Sequence, residues 1–231
     1  MKQLSANLYM LTGLVVGRVY LLQNGAQVTL IDSGLPQAAP LILKQLQRAG
    51  FAPSAVTDIL VTHAHIDHIG GLAALQAATG ARVYCGAADA PVVAGQQPQQ
   101  MPALASLSWP QRLLRLGQGD TYFKATPIFQ TLHGGESLPI WGGLQAVALP
   151  GHTLGQMGYW QPEQQVLFCG DALIRLLTLD LPIPAFTVSP TLTRQSCQHI
   201  AALNPTLLAM GHGQPLRGDV AGAIQRLLAR L

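Results

Sequence analysis

The stretch Thr62-His63-Ala64-His65-Ile66-Asp67-His68 sets three imidazoles and a carboxylate almost side by side. Clustered histidines repel one another when charged and need partners when buried. A transition metal satisfies both requirements, because neutral imidazole nitrogen is a good zinc ligand and a carboxylate compensates charge. The apolar run before the cluster is typical of a strand, and Gly70-Gly71-Leu72 after it is typical of a helix start. The stretch therefore predicts a metal site on a strand-to-helix loop.

Length and composition narrow the class of protein. The 231 residues suit a single domain over 1–231 that buries its core without disulfides. Charged residues make up 10% of the chain and the net charge is only +3, with Lys and Arg scattered. We therefore expect a small-molecule substrate and no nucleic-acid partner. Three cysteines without a CxxC motif favour a reducing compartment, so we expect a cytoplasmic protein.

The apolar N-terminal stretch at 8–22 follows Lys2 and superficially resembles a signal peptide. Gly13, Gly17 and Arg18 interrupt it, and no small-residue cleavage site follows, so the stretch predicts strands instead. No run reaches the roughly 18 apolar residues of a membrane helix, and we expect no membrane partner.

Hydrophobic periodicity predicts the secondary structure. Strands are predicted at 15–22, 27–32, 58–62, 82–85, 143–149, 158–161, 166–169 and 206–210, and helices at 33–48, 69–79, 191–203 and 219–231. Residues 87–130 differ in composition, and an apolar helical pattern covers 104–116. We interpret 87–130 as a helical lid or insertion and not as a second domain.

Three more candidate ligands stand where predicted strands end. His152, Asp171 and His212 each follow an apolar run and a glycine, which permits close backbone approach. Five histidines and two aspartates are too many for one zinc and suit two metals that share a carboxylate. We assign His63, His65 and His152 to the first metal; Asp67, His68 and His212 to the second; and Asp171 to the bridge.

Together, these motifs resemble the metallo-β-lactamase fold superfamily of metallohydrolases. The resemblance rests on the 62–68 stretch, Pro150-Gly151-His152-Thr153, Gly170-Asp171-Ala172-Leu173 and Gly211-His212-Gly213, with Leu30-Ile31-Asp32-Ser33-Gly34 before them, all in family order. It implies an α/β fold, a four-layer αβ/βα sandwich of two mixed β-sheets flanked by helices, with the metal site along one edge. It implies the same ligand assignment, and it gives Asp32 a supporting role without ligation.

The expected function is that of a dinuclear metallohydrolase that uses a metal-bridging hydroxide on an ester, thioester or lactone of small to medium size with an apolar part. Two divalent ions are expected, zinc first, with iron or manganese as alternatives. Asp67 is the candidate catalytic residue, because its motif position suits orienting the hydroxide. No serine or cysteine nucleophile pattern competes with this interpretation.

Several alternatives remain open at the level of sequence. An iron-dependent persulfide-dioxygenase-like oxidoreductase would use two histidines and one aspartate, and the complete second ligand set argues against it. A phosphodiesterase or β-lactamase-type hydrolase could use the same residues, and a non-catalytic binding module would be expected to lack some of them. The pattern resembles the glyoxalase II-like and lactonase-like branches without an extra C-terminal domain. By this resemblance, acyl-homoserine-lactone lactonases usually carry tyrosine where Ile174 stands, which weakens the lactonase alternative without excluding it.

The substrate pocket is predicted from composition. The insertion and residues 173–188 are apolar and are expected to wall it, or else to form a homodimer contact. Arg175 and Lys124 are candidate anion contacts, although an ordinary solvated charge is the simpler interpretation of each. His133 and His199 lie outside every motif, and Cys169 is expected to be a buried strand residue.

Overall fold

Two mixed β-sheets pack face to face, and helices cover both outer faces. This computed structural model describes residues 1–117 and 119–230. The predicted end of the last helix at Leu231 lies outside these residues, as does Gln118 within the predicted insertion. The arrangement confirms the predicted four-layer αβ/βα sandwich.

The first sheet contains seven strands in chain order. They are β1 (Lys2–Ser5), β2 (Leu8–Met10), β3 (Tyr20–Asn24), β4 (Gln27–Ile31), β5 (Val56–Leu60), β6 (Arg82–Gly86) and β7 (Gln130–Leu132). Neighbours from β1 to β4 are antiparallel, and neighbours from β4 to β7 are parallel. The parallel half places the carboxyl ends of β4, β5 and β6 at one edge.

The second sheet has six strands in the order β15-β14-β11-β10-β9-β8. They are β8 (Ser137–Leu138), β9 (Leu144–Ala148), β10 (Met157–Gln161), β11 (Val166–Gly170), β14 (Leu207–Met210) and β15 (Leu216–Arg217). The pair β11 and β14 is parallel, whereas the other pairs are antiparallel. The strands β12 (Ile174–Arg175) and β13 (Leu179–Asp180) form a separate two-stranded ribbon.

Helices lie between the strands. They are α1 (Ala38–Arg48), α2 (Ile66–Ile69), α3 (Leu72–Thr79), α4 (Ala90–Val93), α5 (Trp109–Leu114), α6 (Pro190–Leu203) and α7 (Val220–Leu228), with 3-10 turns at Pro53–Ala55, Leu104–Ser106 and Pro184–Phe186. None of the helices in the described ranges has both the length and the apolar character needed to cross a membrane.

The period-2 alternation of the strands divides the core into layers. In β11, Val166 and Phe168 point between the two sheets, while Leu167 and Cys169 point outward to the layer that contains α6 and α7. In the first sheet, Leu60 points inward and Ile59 packs with α1 and α3. A one-residue register slip would exchange these faces, so the buried layers fix the register of each strand. Cys169 is buried in its strand, as expected, and all three cysteines are free and buried.

Two of the predicted elements are wrong in part. The strand predicted at 15–22 begins only at Tyr20, because Gly13 and Gly17 adopt φ of 75° and 73° and turn the preceding chain into a loop. Val15 in that loop is 84% exposed. The helix predicted at 69–79 is divided at Gly70-Gly71 into α2 and α3.

The helix predicted at 104–116 is also much shorter. A 3-10 turn covers Leu104–Ser106, and α5 starts afresh after Ser108, which forms a capping box with Gln111. The insertion predicted at 87–130 is therefore mostly irregular, and its last residue already belongs to β7.

The core between the sheets gives a stability prediction. Phe168 is fully buried, with its ring centroid 5.4 Å from that of Tyr20 and 6.2 Å from that of Trp141. We expect Phe168→Ala to lower the free energy of unfolding of the metal-free protein by about 3–5 kcal/mol, measured by urea denaturation. The matched change Phe129→Ala, at a ring that is 58% exposed, should cost about 1 kcal/mol. Equal losses in the two variants would contradict the sandwich core.

Candidate metal centre

The seven predicted ligands all follow strand ends at one edge of the sandwich. His63 and His65 follow β5, Asp67 and His68 lie in α2, His152 follows β9, Asp171 follows β11 directly, and His212 follows β14. Since β9, β11 and β14 run in the same direction, their carboxyl ends meet at the same edge. The fold therefore delivers side chains from both sheets to one place.

These side chains form one cluster of three overlapping groups. The groups are His63, His65 and His152; His63, His68 and Asp171; and Asp67, His68 and His212, and within each group the candidate ligand atoms lie within 4.8 Å of one another. The first and third groups correspond to the two predicted ligand sets, and Asp171 lies where the sets meet. Their roles as ligands stay predictions.

A buried network behind the cluster fixes two of the rings. Asp32 accepts hydrogen bonds from the Thr62 hydroxyl (2.7 Å) and from His68 Nδ1 (2.8 Å). Because the Thr62 hydroxyl donates its hydrogen to Asp32, its oxygen accepts the hydrogen bond from His63 Nδ1 at 3.1 Å. Both rings therefore carry hydrogen on Nδ1 and direct Nε2 to the cluster. Such carboxylate support is the usual environment of a metal-bound histidine.

Asp32 reaches this position through an unusual backbone conformation. Its φ is +64°, in the left-handed region that aspartate tolerates better than most residues. Its second oxygen accepts a hydrogen bond from the Thr62 backbone N–H at 2.7 Å, so the carboxylate binds both the main chain and the side chain of Thr62, just after β5. This placement suits the supporting role predicted for Asp32.

Two further rings face each other with opposed lone pairs. His65 Nε2 donates to the Gln100 carbonyl at 2.8 Å, and His152 Nδ1 donates to the Thr187 hydroxyl at 3.2 Å, which itself donates to a backbone carbonyl. His65 Nδ1 and His152 Nε2 consequently point lone pairs at each other across 2.9 Å. A cation bound by both nitrogens would remove this repulsion. Burial, together with the nearby His65, lowers the pKa of His152 to about 3, so a proton is a poor occupant.

Buried atoms without hydrogen-bond partners also indicate a cation site. Within the described ranges, His63 Nε2, His68 Nε2 and Asp171 Oδ1 are buried without a hydrogen-bond partner. Leaving one such group unpaired typically costs about 1–3 kcal/mol. Imidazole nitrogens and carboxylate oxygens at this spacing are a donor set that suits zinc and similar divalent ions. The cluster therefore fits the metals that the sequence implies.

The two halves of the cluster differ in protonation. Burial lowers the pKa of His63 and of His65. Burial also acts to lower the pKa of His68 and His212, but the carboxylates of Asp67 and Asp171 outweigh it and raise them to about 9 and about 10. The first ligand set is thus neutral near pH 7, whereas the metal-free second set holds protons that an ion would displace.

Asp67 and Asp171 complete the second half. His212 Nε2 lies 3.1 Å from Asp67 Oδ2 and 3.0 Å from Asp171 Oδ2. Burial alone would raise the pKa of both aspartates, but His68 and His212 hold each below its ordinary value. Both carboxylates are therefore ionised and able to act as ligands near neutral pH.

Asp89 binds the loops that carry candidate ligands, and the sequence interpretation missed it. It is fully buried and accepts hydrogen bonds from the Ala64 N–H (2.8 Å), the Thr153 hydroxyl (2.8 Å), the Gly155 N–H (3.0 Å) and Gln100 Nε2 (2.9 Å). Burial raises its pKa to about 6, against the effect of these donors. The sequence signal is weak, because Asp89 lies three residues after Gly86 at the end of β6, whereas Asp171 directly follows Gly170 at the end of β11.

Gln100 joins the insertion to the same network. Its Nε2 also donates to the Ala88 carbonyl (2.8 Å), and its Oε1 accepts the Leu154 N–H at 2.8 Å. Its carbonyl is the acceptor for His65 Nε2. One residue of the insertion therefore contacts the loops that carry His65 and His152.

Gly211 shows how tightly the main chain approaches the cluster. A Cβ added there would lie 2.0 Å from Asp171 Oδ1 and 2.6 Å from His68 Cε1. No other residue fits at this position, which explains the glycine before His212.

A cavity of about 660 Å³ opens beside the cluster. Both segments predicted to wall the pocket line it, Met101 and Thr121 from the insertion and Ile183 and Phe186 from 173–188. Neither Arg175 nor Lys124 is among the described residues that line it. Arg175 instead donates from Nη1 to the Pro215 carbonyl at 3.3 Å. The expectation that one of them contacts a substrate anion gains no support from this geometry.

Comparison with known proteins places the chain among metallohydrolases. The family model described as the metallo-beta-lactamase superfamily matches residues 12–212. The chain is 27% identical to a probable metallo-hydrolase of Bacillus subtilis, over 88% of this chain and 83% of that protein. It is 35% identical to a hydroxyacylglutathione hydrolase of Ectopseudomonas mendocina, over 67% of this chain but only 46% of that enzyme.

A solved structure supports the fold. A metallo-beta-lactamase family protein from Thermus thermophilus superposes with a TM-score of 0.74 over 98% of this chain and 79% of that one, at 24% identity. Similarity at this identity concerns the architecture, and the two-sheet sandwich described above is the same.

Proton release on metal binding should distinguish the two halves. We expect the first zinc ion to bind metal-free protein at about pH 7.5 with little proton release, because the pKa values of His63, His65 and His152 are lowered. The second should release about two protons, from His68 and His212, and its affinity should fall as the pH drops below about 10 and more steeply below about 9. Calorimetric titration in buffers of different ionisation enthalpy measures both.

His212→Gln is the matched variant for this titration, and it should lower the protons released with the second ion by about one. Equal proton release for the two ions in the unchanged protein would show that the halves are not protonated differently.

The Asp89–Gln100 contact gives a second prediction. Gln100→Ala removes one donor to Asp89 and frees the carbonyl that orients His65, so zinc affinity should weaken by about tenfold, measured by competition with a chromogenic chelator. Gln164→Ala, an exposed glutamine outside the centre, is the control and should bind zinc normally. Unchanged affinity in both variants would show that the insertion does not support the metal centre.

Proposed function

The chain belongs to the metallo-beta-lactamase superfamily, and from this we propose that it is a dinuclear metal-dependent hydrolase of esters, thioesters or lactones. The observation that carries the proposal is that His65 Nδ1 and His152 Nε2 direct lone pairs at each other across 2.9 Å. Three further buried nitrogen and oxygen atoms of the cluster lie beside them without hydrogen-bond partners. Bound cations would pair these atoms and so stabilise the site, and the similarity to hydroxyacylglutathione hydrolases supports hydrolysis of an acyl bond.

We assign the ligands as follows. His63, His65 and His152 would hold one ion, and Asp67, His68 and His212 the other. Asp171 would be shared, because its Oδ2 lies 3.0 Å from His212 Nε2 and 3.6 Å from His152 Nε2 and thus reaches both halves. Divalent ions bound here supply Lewis acidity and lower the pKa of water to near 7, so that hydroxide is present at neutral pH.

Asp67 is the proposed proton-handling residue. Its side chain is 17% exposed and lines the cavity, whereas the Asp171 side chain is 6% exposed. As an ionised carboxylate, it can orient the hydroxide, accept the proton of that hydroxide after it has added to the carbonyl carbon, and deliver this proton to the departing alcohol or thiol. The acyl bond breaks with its electron pair on that leaving group, so the proton balance closes within the site.

The apolar wall supports a substrate with an apolar part. Ile174, Leu176, Pro182, Ile183 and Phe186 line one side of the cavity and offer no hydrogen-bonding side chain. Burial of each substrate methylene against them stabilises the complex by roughly 0.8 kcal/mol. A small to medium acyl substrate fits the volume.

Removal of the shared ligand tests the assignment. Asp171→Ala should lose metal, measured by mass spectrometry of the ions per chain, and should lower thioester and lactone hydrolysis by about 100-fold or more while the protein stays folded by circular dichroism. Asp180→Ala, an exposed aspartate in β13, is the control and should keep both. Full metal content with unchanged turnover in Asp171→Ala would refute the bridging role. One iron per chain with thiol-dependent oxygen uptake by the unchanged protein would instead favour the oxygenase.

A further inference from the structure

The cavity wall carries a single fixed charge besides the ligand cluster. Among the described residues that line the cavity, Asp120 is the one charged side chain that is not a proposed ligand, and no lysine or arginine lines it. Outside the cluster, a substrate that fills the cavity therefore meets one carboxylate and otherwise neutral, mostly apolar groups among the described residues.

Nearby cations are engaged elsewhere. Arg18 donates from Nε to the Gly213 carbonyl at 3.1 Å, and Arg115 donates from Nη1 to the Ala185 carbonyl at 3.2 Å. Arg175 donates to the Pro215 carbonyl, as described above. Each of these guanidinium groups is held on main chain outside the cavity lining, so none is placed to neutralise an anionic substrate.

The main chain beside Asp120 is anchored to a ligand loop. Gln99 donates its N–H to the Thr121 carbonyl at 2.8 Å, and its Oε1 accepts the Ile66 N–H at 3.2 Å. Ile66 lies between His65 and Asp67. The carboxylate is therefore presented at the cavity wall by a segment tied to the centre.

Resting on the proposed hydrolase function, we propose that Asp120 selects substrates by charge. Thioesters and esters with a cationic or neutral leaving group are accepted, and those with an anionic leaving group, such as glutathione with its carboxylates, are disfavoured. The reason is like-charge repulsion between the substrate and the exposed Asp120 carboxylate, which no described lysine or arginine of the cavity lining compensates. The charge of the metal centre faces the reacting carbonyl, whereas the rest of the substrate must match the wall.

Three acetyl thioesters that differ in leaving-group charge test this inference on the zinc-loaded protein. They are acetylthiocholine (cationic), S-acetyl-N-acetylcysteamine (neutral) and S-acetylglutathione (anionic), with thiol release followed by a chromogenic disulfide. We expect kcat/KM to be about tenfold higher for the cationic and neutral thioesters than for the anionic one. The preference should shrink as sodium chloride is raised, because salt screens charge.

Two variants and a control assign the effect to Asp120. Asp120→Lys should shift the ratio of anionic to cationic kcat/KM by about tenfold or more toward the anion, and Asp120→Asn should give an intermediate ratio. Glu163→Lys makes the same charge change on an exposed turn outside the cavity lining and should leave the ratio unchanged. Thermal melting and metal content show that each variant is folded and loaded. Should Asp120→Lys not fold, Asp120→Asn carries the test.

The possible failures are distinguishable. Hydrolysis of all three thioesters without discrimination, or a ratio that Asp120→Asn and Asp120→Lys leave unchanged, overturns the charge selection and leaves the hydrolase proposal standing. No hydrolysis of any of these thioesters, nor of a lactone, by fully loaded protein overturns the proposed function and the charge selection with it.

Discussion

The rest of the centre depends on the hydrogen bonds that the buried Asp32 carboxylate accepts from Thr62 and His68. This carboxylate connects the end of β4 to the end of β5 and to α2, so the loop that carries four candidate ligands starts from a fixed point. Through the Thr62 hydroxyl it also sets the tautomer of His63, one ring further away. A buried carboxylate is stable only when hydrogen-bond donors pair its oxygens. Removing one donor of this network therefore costs stability, because it leaves a buried charge without its partner.

The centre uses one kind of side chain in two electrostatic environments. His65 and His152 are held by neutral acceptors, a carbonyl and a hydroxyl, so burial dominates and their pKa values fall. His68 and His212 face carboxylates, which outweigh burial and raise theirs. A metal ion must therefore displace a proton from His68 and His212 near neutral pH, but not from His65 and His152. This difference arises from the neighbours alone and is not visible in the histidine motif.

Much of the architecture could be predicted from sequence because the strongest signals are short and local. The runs before His152, Asp171 and His212 are mostly buried strands, and a glycine directly before each of the three residues lets the chain turn at the sheet edge. The insertion could not be predicted in the same way. Its helix is broken by the new cap at Ser108, and its shape depends on contacts with Gln99 and Gln100 that only the folded chain reveals. Asp89 was missed for a related reason, because it binds main-chain and side-chain donors from three segments and belongs to no motif.

The insertion supports His65 through the main-chain carbonyl of Gln100, which accepts a hydrogen bond from the ring. Every residue type supplies a main-chain carbonyl, so this support for the metal ligand depends on the path of the chain and not on the side chains that follow. The Asp89–Gln100 contact holds that path at the start of the insertion, whereas Met101, Asp120 and Thr121 form the wall beyond it. The two tasks fall to different side chains, although Gln99 also ties the main chain at Thr121 to the ligand loop. Changing the wall side chains can therefore alter what the cavity admits while the main-chain carbonyl continues to orient His65.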